Sequence, residues 1–277
     1  ELAGEVEAVG ATVTRFKPGD RVFGATDLDG GTYAEYIVLP EDDVLSIMPA
    51  GLSYAEAASI QDGTTTALHF LRDKAQIQPG QRVLINGASG SVGSAAVRVA
   101  KYFGAHVTGV ASTRNLALVQ SLGADEVIDY TQKDFTTDHE QYDIIFDTVG
   151  KSSFTQSKQT LRPGGIYLTT VLSLGALAST LTTSKLGDKR AVFAAAGLRP
   201  SEEKRRDLQL VKEMVEAGAL QPVIDRAYAL DEIAEAHRYV DTGRKRGNVV
   251  IEIVQQRTSV PDFILTDDGP CRVAQTA

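Results

Sequence analysis

The sequence predicts an α/β protein in which a strand-rich N-terminal segment leads into a doubly wound, mostly parallel sheet. Three observations point there. From residue 82 onward, short runs rich in β-branched residues (RVLIN, HVTGV, EVID, YDIIFD, GIYLTTV, AVFAAA) alternate with helical or loop segments, as parallel strands joined by crossovers do. Residues 83–93, VLINGASGSVG, put a strand, a glycine-rich turn and the start of a helix in immediate succession. Before residue 50 no helical period is found, and short alternating runs are separated by turn signals instead.

Taken in order, GEVEAVG alternates as a strand, KPGD at 17–20 is a turn, and RVFG and TYAEYIVL are further strands. Ser53 and Glu56 form an S-x-x-E capping box that opens the helix YAEAASI. Gln61-Asp62-Gly63 reads as a break in that helix, with helical spacing resuming from Thr64 to Leu71. After the turn at Pro79-Gly80 comes the alternating region. SEEKRRDLQLVKEMVEAG then puts Leu208, Val211, Met214 and Val215 on one helical face. The strand VIDRAYAL, the helix DEIAEAHRYV with Asp231 as its N-cap, and the strand NVVIEIV complete the pattern. The tail from Gln255 to Ala277 has neither period nor core pattern and is expected to be loosely attached or disordered.

The glycine turn carries the chemistry. In a βαβ nucleotide site, glycines permit a tight reversal, close approach of backbone to a pyrophosphate, and close packing of the next helix, whose N-terminal N–H groups face the phosphates. Gly90 and Gly93 hold the second and third fingerprint positions, and Ala88 stands where the first glycine is expected, with Gly87 before it. Ser89, Ser91 and Val92 complete the loop. The second strand discriminates between dinucleotides. An NAD site uses an acidic residue about 20 positions on to hold the ribose 2′-OH. Residues 105–124 contain no acid, and Ser112, Thr113 and Arg114 at the strand tip offer donors and a positive charge to a 2′-phosphate. NADPH is therefore the expected cofactor.

Composition narrows the class. A net charge of −8 argues against nonspecific nucleic-acid binding, and the short cluster Arg244-Lys245-Arg246 does not reverse that. One cysteine, Cys271, excludes an internal disulfide framework and fits a reducing, cytoplasmic setting. The most apolar run, residues 171–181, is too short to span a membrane. The first residue is Glu rather than Met, so the chain is expected to begin inside a longer protein.

The segments ELAGEVEAVG, FKPGDRVFG, GGTYAEYIVLP, TTALHFL, VLINGASGSVG, SLGADEVIDY, DIIFDTVG, LRPGGIYLTT and AEAHRYVDTGRKRGNVVIEI occur in this order from residue 1 to about 253. In that combination the chain resembles the medium-chain dehydrogenase/reductase superfamily, in its zinc-independent, quinone-oxidoreductase-like branch. The resemblance implies a Rossmann-type domain over residues 61–199, a GroES-like, mostly β catalytic domain formed by 1–60 and 200–254, and a tail at 255–277. It also implies that the catalytic domain is incomplete at its N-terminus, since relatives carry more chain before ELAG.

By the same resemblance, Thr66 lies near the nicotinamide, Tyr130 near the adenosine 2′-phosphate, and Val149 and Gly150 bring backbone to the ribose. Thr170 and Val171 present backbone to the carboxamide, and Asn248 contacts the cofactor. Three of these have a plainer reading as well: Thr66 bonding back within its helix, Tyr130 as a strand end, Asn248 as a strand-start turn. No zinc is expected. Three compact ligands are needed, and His69, His106, His139 and His237 are scattered along the chain. Tyr33 and Tyr36 read as opposite faces of one strand, in structural roles, and no catalytic acid is assigned. The implied activity is hydride transfer from NADPH to a quinone or an α,β-unsaturated carbonyl, in a homodimer paired through the nucleotide domain's edge strand. An alcohol or aldehyde dehydrogenase and a noncatalytic NADPH-binding relative are the alternatives. A short-chain reductase is disfavoured, because it needs Tyr-x-x-x-Lys and Tyr130 is followed by Lys133.

Overall fold

The computed structural model describes residues 1–26, 30–139, 141–183, 187–253 and 271–275. The chain forms two compact units, one of residues 1–62 and 199–277 and one of residues 63–198.

In the second unit, six parallel strands follow the alternating pattern. They are β5 (Arg82–Asn86), β6 (His106–Ala111), β7 (Glu126–Asp129), β8 (Tyr142–Asp147), β9 (Leu161–Thr169) and β10 (Arg190–Phe193), in the order β10-β9-β8-β5-β6-β7. The strand order reverses at β5, where the helix α2 (Ser91–Tyr102) departs. Ligands of open parallel sheets bind beyond the carboxyl ends of the strands at such a reversal. The shorter helices α3 (Leu116–Ser121), α4 (Phe154–Ser157) and α5 (Leu174–Thr183) follow β6, β8 and β9. Leu84, Val110, Ile128, Tyr142, Ile145, Leu161 and Tyr167 form one continuous buried cluster along the sheet. On the outer edge of β10, the N–H groups of Ala191 and Phe193 donate to Thr183 Oγ1 (2.8 Å) and Thr180 Oγ1 (3.0 Å) of α5. That edge is thus covered by side chains of the chain itself.

The first unit holds β1 (Leu2–Ala8), β2 (Arg21–Ala25), β3 (Tyr36–Leu39), β4 (Val44–Ile47) and β13 (Cys271–Gln275) in the order β3-β13-β1-β2-β4, antiparallel throughout. It also holds α6 (Ser201–Glu216), α7 (Ile233–Asp241) and the parallel pair β11 (Ile224–Ala229) and β12 (Asn248–Glu252). Leu2, Val6, Phe16, Val22, Leu39, Leu45 and Val273 make its buried core.

Four expectations need correction. Residues 271–275 are not loose: they form β13, inserted between β1 and β3, with Val6 opposite Val273. The segment is too short for a sequence period to register, and what holds it is ladder pairing on both sides; the rest of the tail, 255–270 and 276–277, lies outside the described residues. The helix does not break at Gln61-Asp62-Gly63, since α1 runs from Tyr54 to Leu68 and continues as a π-helical turn to Lys74. Gly63 is there for closeness, because a Cβ on it would stand 3.0 Å from Ser91 O, at the start of α2. Tyr33 and Tyr36 do not share a strand: β3 begins at Tyr36, and the Tyr33 hydroxyl lies 3.1 Å from His237 Nε2. Asp231 does not cap α7; the segment opens as a 3₁₀ turn in which the Ala229 N–H donates to the Glu232 carboxylate at 3.0 Å. The Ser53–Glu56 box is present as a reciprocal pair, with Glu56 N donating to Ser53 Oγ (3.2 Å) and Ser53 N to Glu56 Oε2 (2.9 Å).

Candidate functional site

The turn between β5 and α2 is held on the neighbouring strand. Gly87 N and Ala88 N both donate to Val110 O of β6, at 3.1 and 3.0 Å, and Gly90 N closes the turn on Gly87 O at 3.0 Å. Gly87 takes φ +84°, the left-handed geometry open to glycine, which explains how Ala88 can occupy the first fingerprint position as a buried residue. The other two glycines differ in purpose. A Cβ on Gly93 would stand 2.0 Å from Gly87 O, so helix and turn touch backbone to backbone. A Cβ on Gly90 would meet only Gly87 O at 3.5 Å, an ordinary contact. The space over Gly90 is therefore open, as backbone approach by a pyrophosphate requires. Gly90 is the N-cap of α2 and supplies no side-chain cap, so Ser91, Val92 and Gly93 form a first turn with the positive end of the helix dipole.

Beside this turn lies the tip of β6, where Ser112 is half-buried and Thr113 and Arg114 are exposed. Asn115, which sequence reasoning missed, ties the two segments together. It is buried, its Nδ2 donates to Ser89 Oγ at 3.0 Å, and its Oδ1 is a buried acceptor with no hydrogen-bond partner among the described residues. Tyr130, at the end of β7, is 61% exposed, so its ring is available to a ligand as it stands.

A second organising group was also missed. Asp147 ends β8 fully buried, and its carboxylate accepts from Val149 N (3.1 Å), Gly150 N (2.9 Å), Ser152 N (3.0 Å), Asn86 Nδ2 (3.1 Å) and the Tyr167 hydroxyl (2.9 Å). One carboxylate thus fixes the loop carrying Val149 and Gly150. Burial, and then the Asp147 charge, push the Tyr167 hydroxyl well above its ordinary pKa, so it remains a proton donor. Gly150 (φ +67°) has no room for a Cβ, which would stand 2.9 Å from Val171. The loop after β8 and the Thr170-Val171 end of β9 are accordingly in contact. The sequence offered one signal for Asp147, a carboxylate closing the apolar run Ile144-Ile145-Phe146.

Thr66 is buried in α1. Asn248 lies in the other unit, where it starts β12 with its N–H donating to Val223 O at 2.8 Å. The structure therefore gathers Ala88 to Gly93 and Ser112 to Arg114 at one reversal point. It gathers Val149, Gly150, Thr170 and Val171 at the ends of the adjoining strands.

A sheet reversal with this cradle defines a dinucleotide-binding α/β protein, and comparison with known proteins narrows the class. Residues 1–49 match the alcohol dehydrogenase GroES-like domain and residues 122–251 the domain described as zinc-binding dehydrogenase. Among similar proteins, the 2-methylene-furan-3-one reductase of Solanum lycopersicum is 33% identical over 262 residues, 91% of this chain and 62% of its own length. The mitochondrial NAD(P)H oxidoreductase RTN4IP1 of Mus musculus is 34% identical over 284 residues, 92% of this chain and 69% of its own length. The solved quinone oxidoreductase from Coxiella burnetii superposes with a TM-score of 0.78 at 29% identity, covering 90% of this chain and 77% of that one. The chain belongs to the medium-chain dehydrogenase/reductase superfamily, in its quinone-oxidoreductase-like branch.

Its cofactor class is a nicotinamide dinucleotide. The chain spans less than two thirds of the tomato reductase's length. Despite the name of the second matched domain, no group of three His, Cys, Asp or Glu side chains able to hold a metal occurs among the described residues. His69 faces Asp73 at 3.3 Å, and His106 faces Glu126 at 3.0 Å. No helix among the described residues is long and apolar enough to cross a membrane.

Proposed function

We propose that this chain is an NADPH-dependent oxidoreductase acting, without zinc, on a quinone or an α,β-unsaturated carbonyl. The observation that carries the proposal is the turn in which Gly93 has no room for a side chain while the space over Gly90 is open. In this reading the first turn of α2 receives the pyrophosphate, and Ser112, Thr113 and Arg114 receive the 2′-phosphate. Tyr130 flanks the adenosine end, Val149 and Gly150 the ribose, Thr170 and Val171 the carboxamide, and Thr66 the nicotinamide side. When bound, the reduced nicotinamide supplies a hydride, and the protein's part is to orient it and keep water out. A quinone or enone needs no metal to polarise it, and its oxygen can take a proton from solvent, so no catalytic acid is assigned.

The names of the tomato reductase and the Coxiella oxidoreductase, one for an enone and one for a quinone, support this substrate class. A charge-assisted bond to phosphate contributes about 1.5–3 kcal/mol, so Arg114→Ala should weaken NADPH binding about 10- to 100-fold and leave NADH unchanged. The test of function is acceptor-dependent loss of reduced-nicotinamide absorbance with NADPH and a small quinone. Alcohol-dependent reduction of NADP⁺ in its place would favour an alcohol dehydrogenase, and binding without turnover a noncatalytic relative.

A homodimer belongs to the same proposal. Leu174, Leu177 and Leu181 lie on one face of α5 and are exposed, beside an edge strand whose N–H groups α5 already covers. Light scattering at micromolar concentration measures it, and a monomer mass refutes it.

A further inference from the structure

The cofactor preference argued above rests on the absence of acid from β6, but an acid reaches the same place from the next strand. β6 and β7 pair in parallel with Ala111 opposite Asp129, and Tyr130 N donates to Ala111 O at 3.1 Å. Asp129 is therefore level with the strand tip that carries Ser112, Thr113 and Arg114. Its carboxylate is locked there. Thr113 Oγ1 donates to Oδ2 at 2.5 Å, Thr131 N and Oγ1 donate to Oδ1 at 2.9 and 2.7 Å, and Gln132 Nε2 donates to Oδ2 at 3.1 Å. The Thr113 bond, and then those of Thr131 and Gln132, hold the carboxyl below its usual range, so it is ionised wherever the protein would work.

Two consequences follow for an incoming 2′-phosphate. A fixed negative charge stands one hydrogen bond from Thr113, and like charges at that range repel. A hydroxyl also has a single proton to give. Thr113 gives it to Asp129, so of the three residues proposed to receive the phosphate this one turns a lone pair toward it. For NADH the same carboxylate is an asset, because an ionised acid at a strand tip can accept from the ribose 2′-OH.

We propose that Asp129 is a specificity-determining residue that holds down discrimination between NADPH and NADH, acting through its own charge and through the hydroxyl of Thr113. The inference rests on the NADPH reading of the Ser112–Arg114 tip and deepens it. The chain is a dual-cofactor oxidoreductase biased toward NADPH by Arg114 and restrained by Asp129.

The experiment is a fluorescence titration of the full chain with NADPH and, separately, NADH. The proteins are wild type, Arg114→Ala, Asp129→Asn, Asp129→Ser, Thr113→Val and the double variant Asp129→Asn/Thr113→Val. An amide at 129 keeps an acceptor for Thr131 while removing the charge, and the serine variant guards against a peculiarity of the amide. Asp129→Asn and Asp129→Ser should each raise the NADPH-to-NADH affinity ratio about tenfold or more, in part by weakening NADH. Thr113→Val should lower NADPH affinity severalfold more in the Asp129→Asn background than in the wild-type background, where its proton is already given to Asp129. A merely structural residue would move both nucleotides alike, and so would overturn the proposal. So would an unchanged ratio in both 129 variants. Loss of NADPH preference in Arg114→Ala upholds the underlying reading independently. No saturable binding of either nucleotide to wild type refutes both the reading and the inference.

Discussion

The two glycines of the turn make opposite predictions. A Cβ at Gly93 would lie 2.0 Å from Gly87 O, 2.7 Å from Gly87 C and 2.9 Å from Ala88 Cα, where ordinary contact begins near 3.4 Å. All three obstacles are backbone, and Gly87 and Ala88 are pinned to Val110 O, so neither side can yield by rotating a side chain. Overpacking of this kind costs about 1–3 kcal/mol, and the backbone obstruction puts Gly93→Ala near the upper end, at about 3 kcal/mol. At about 2–4 °C per kcal/mol for a protein of this size class, the melting temperature should fall by about 6–12 °C. Gly90→Ala is the contrast. Gly90 has φ −83° and ψ −178°, open to any residue, and its Cβ would meet only Gly87 O at 3.5 Å, so stability should stay within about 0.5 kcal/mol of wild type. That methyl would, however, occupy the space a pyrophosphate needs, and the NADPH dissociation constant should rise at least about tenfold, or about 1.4 kcal/mol. Thermal melts without ligand and fluorescence titrations with NADPH read the two quantities separately. A Gly93→Ala protein that melts with wild type, or a Gly90→Ala protein that binds NADPH normally, refutes the assignment of roles.

Other expectations follow from named contacts. Asp147→Ala leaves the N–H groups of Val149, Gly150 and Ser152 and the Tyr167 hydroxyl without their acceptor, so urea melts should show a loss of at least about 3 kcal/mol; a neutral result would mean the loop is held by something else. Val273→Ala, in the strand between β1 and β3, should cost about 1.5–3 kcal/mol, since Val273 is fully buried, and a wild-type urea midpoint would show that this strand is not docked. Burial alone would raise the Asp125 carboxyl, but Lys101 Nζ at 2.8 Å and Val107 N at 2.7 Å outweigh it and hold it below its ordinary value. A depressed folded value means this contribution is fully present at neutral pH and lost as pH falls below the ordinary aspartate range through the folded value. Lys101→Met should flatten that acid limb of the urea midpoint against pH and leave the profile above neutrality unchanged; an acid limb identical to wild type would contradict it.

What the sequence made legible were features written locally. β5, the turn and α2 could be read because a short continuous apolar run gives way to a 3.6-residue hydrophobic period across a glycine cluster, and both halves of that signal lie within one short stretch. The alternation of strands and crossovers was legible for the same reason. Features set by distant partners were not. Gly63 looks like a helix breaker until Ser91 O is seen 3.0 Å from where its Cβ would be. β13 is a pentapeptide whose strand identity comes from two neighbours far away in the chain. The same limit applies at the candidate site. Reading β6 alone finds no acid, whereas the register of β7 delivers Asp129 to the hydroxyl of Thr113. Asp147 and Asn115 are ordinary strand-end and loop residues by sequence, and only the fold shows what each one ties down.

The central claim is hydride transfer from NADPH to an electron-poor acceptor. Its most direct test uses NADPH doubly deuterated at C4 of the nicotinamide, with the purified chain and a small α,β-unsaturated ketone in ordinary water. The product's β-carbon is then examined by NMR. The account predicts one deuterium on that carbon and a proton from solvent on the α-carbon. A reduced ketone without deuterium at the β-carbon, or no product while NADPH is bound, contradicts it.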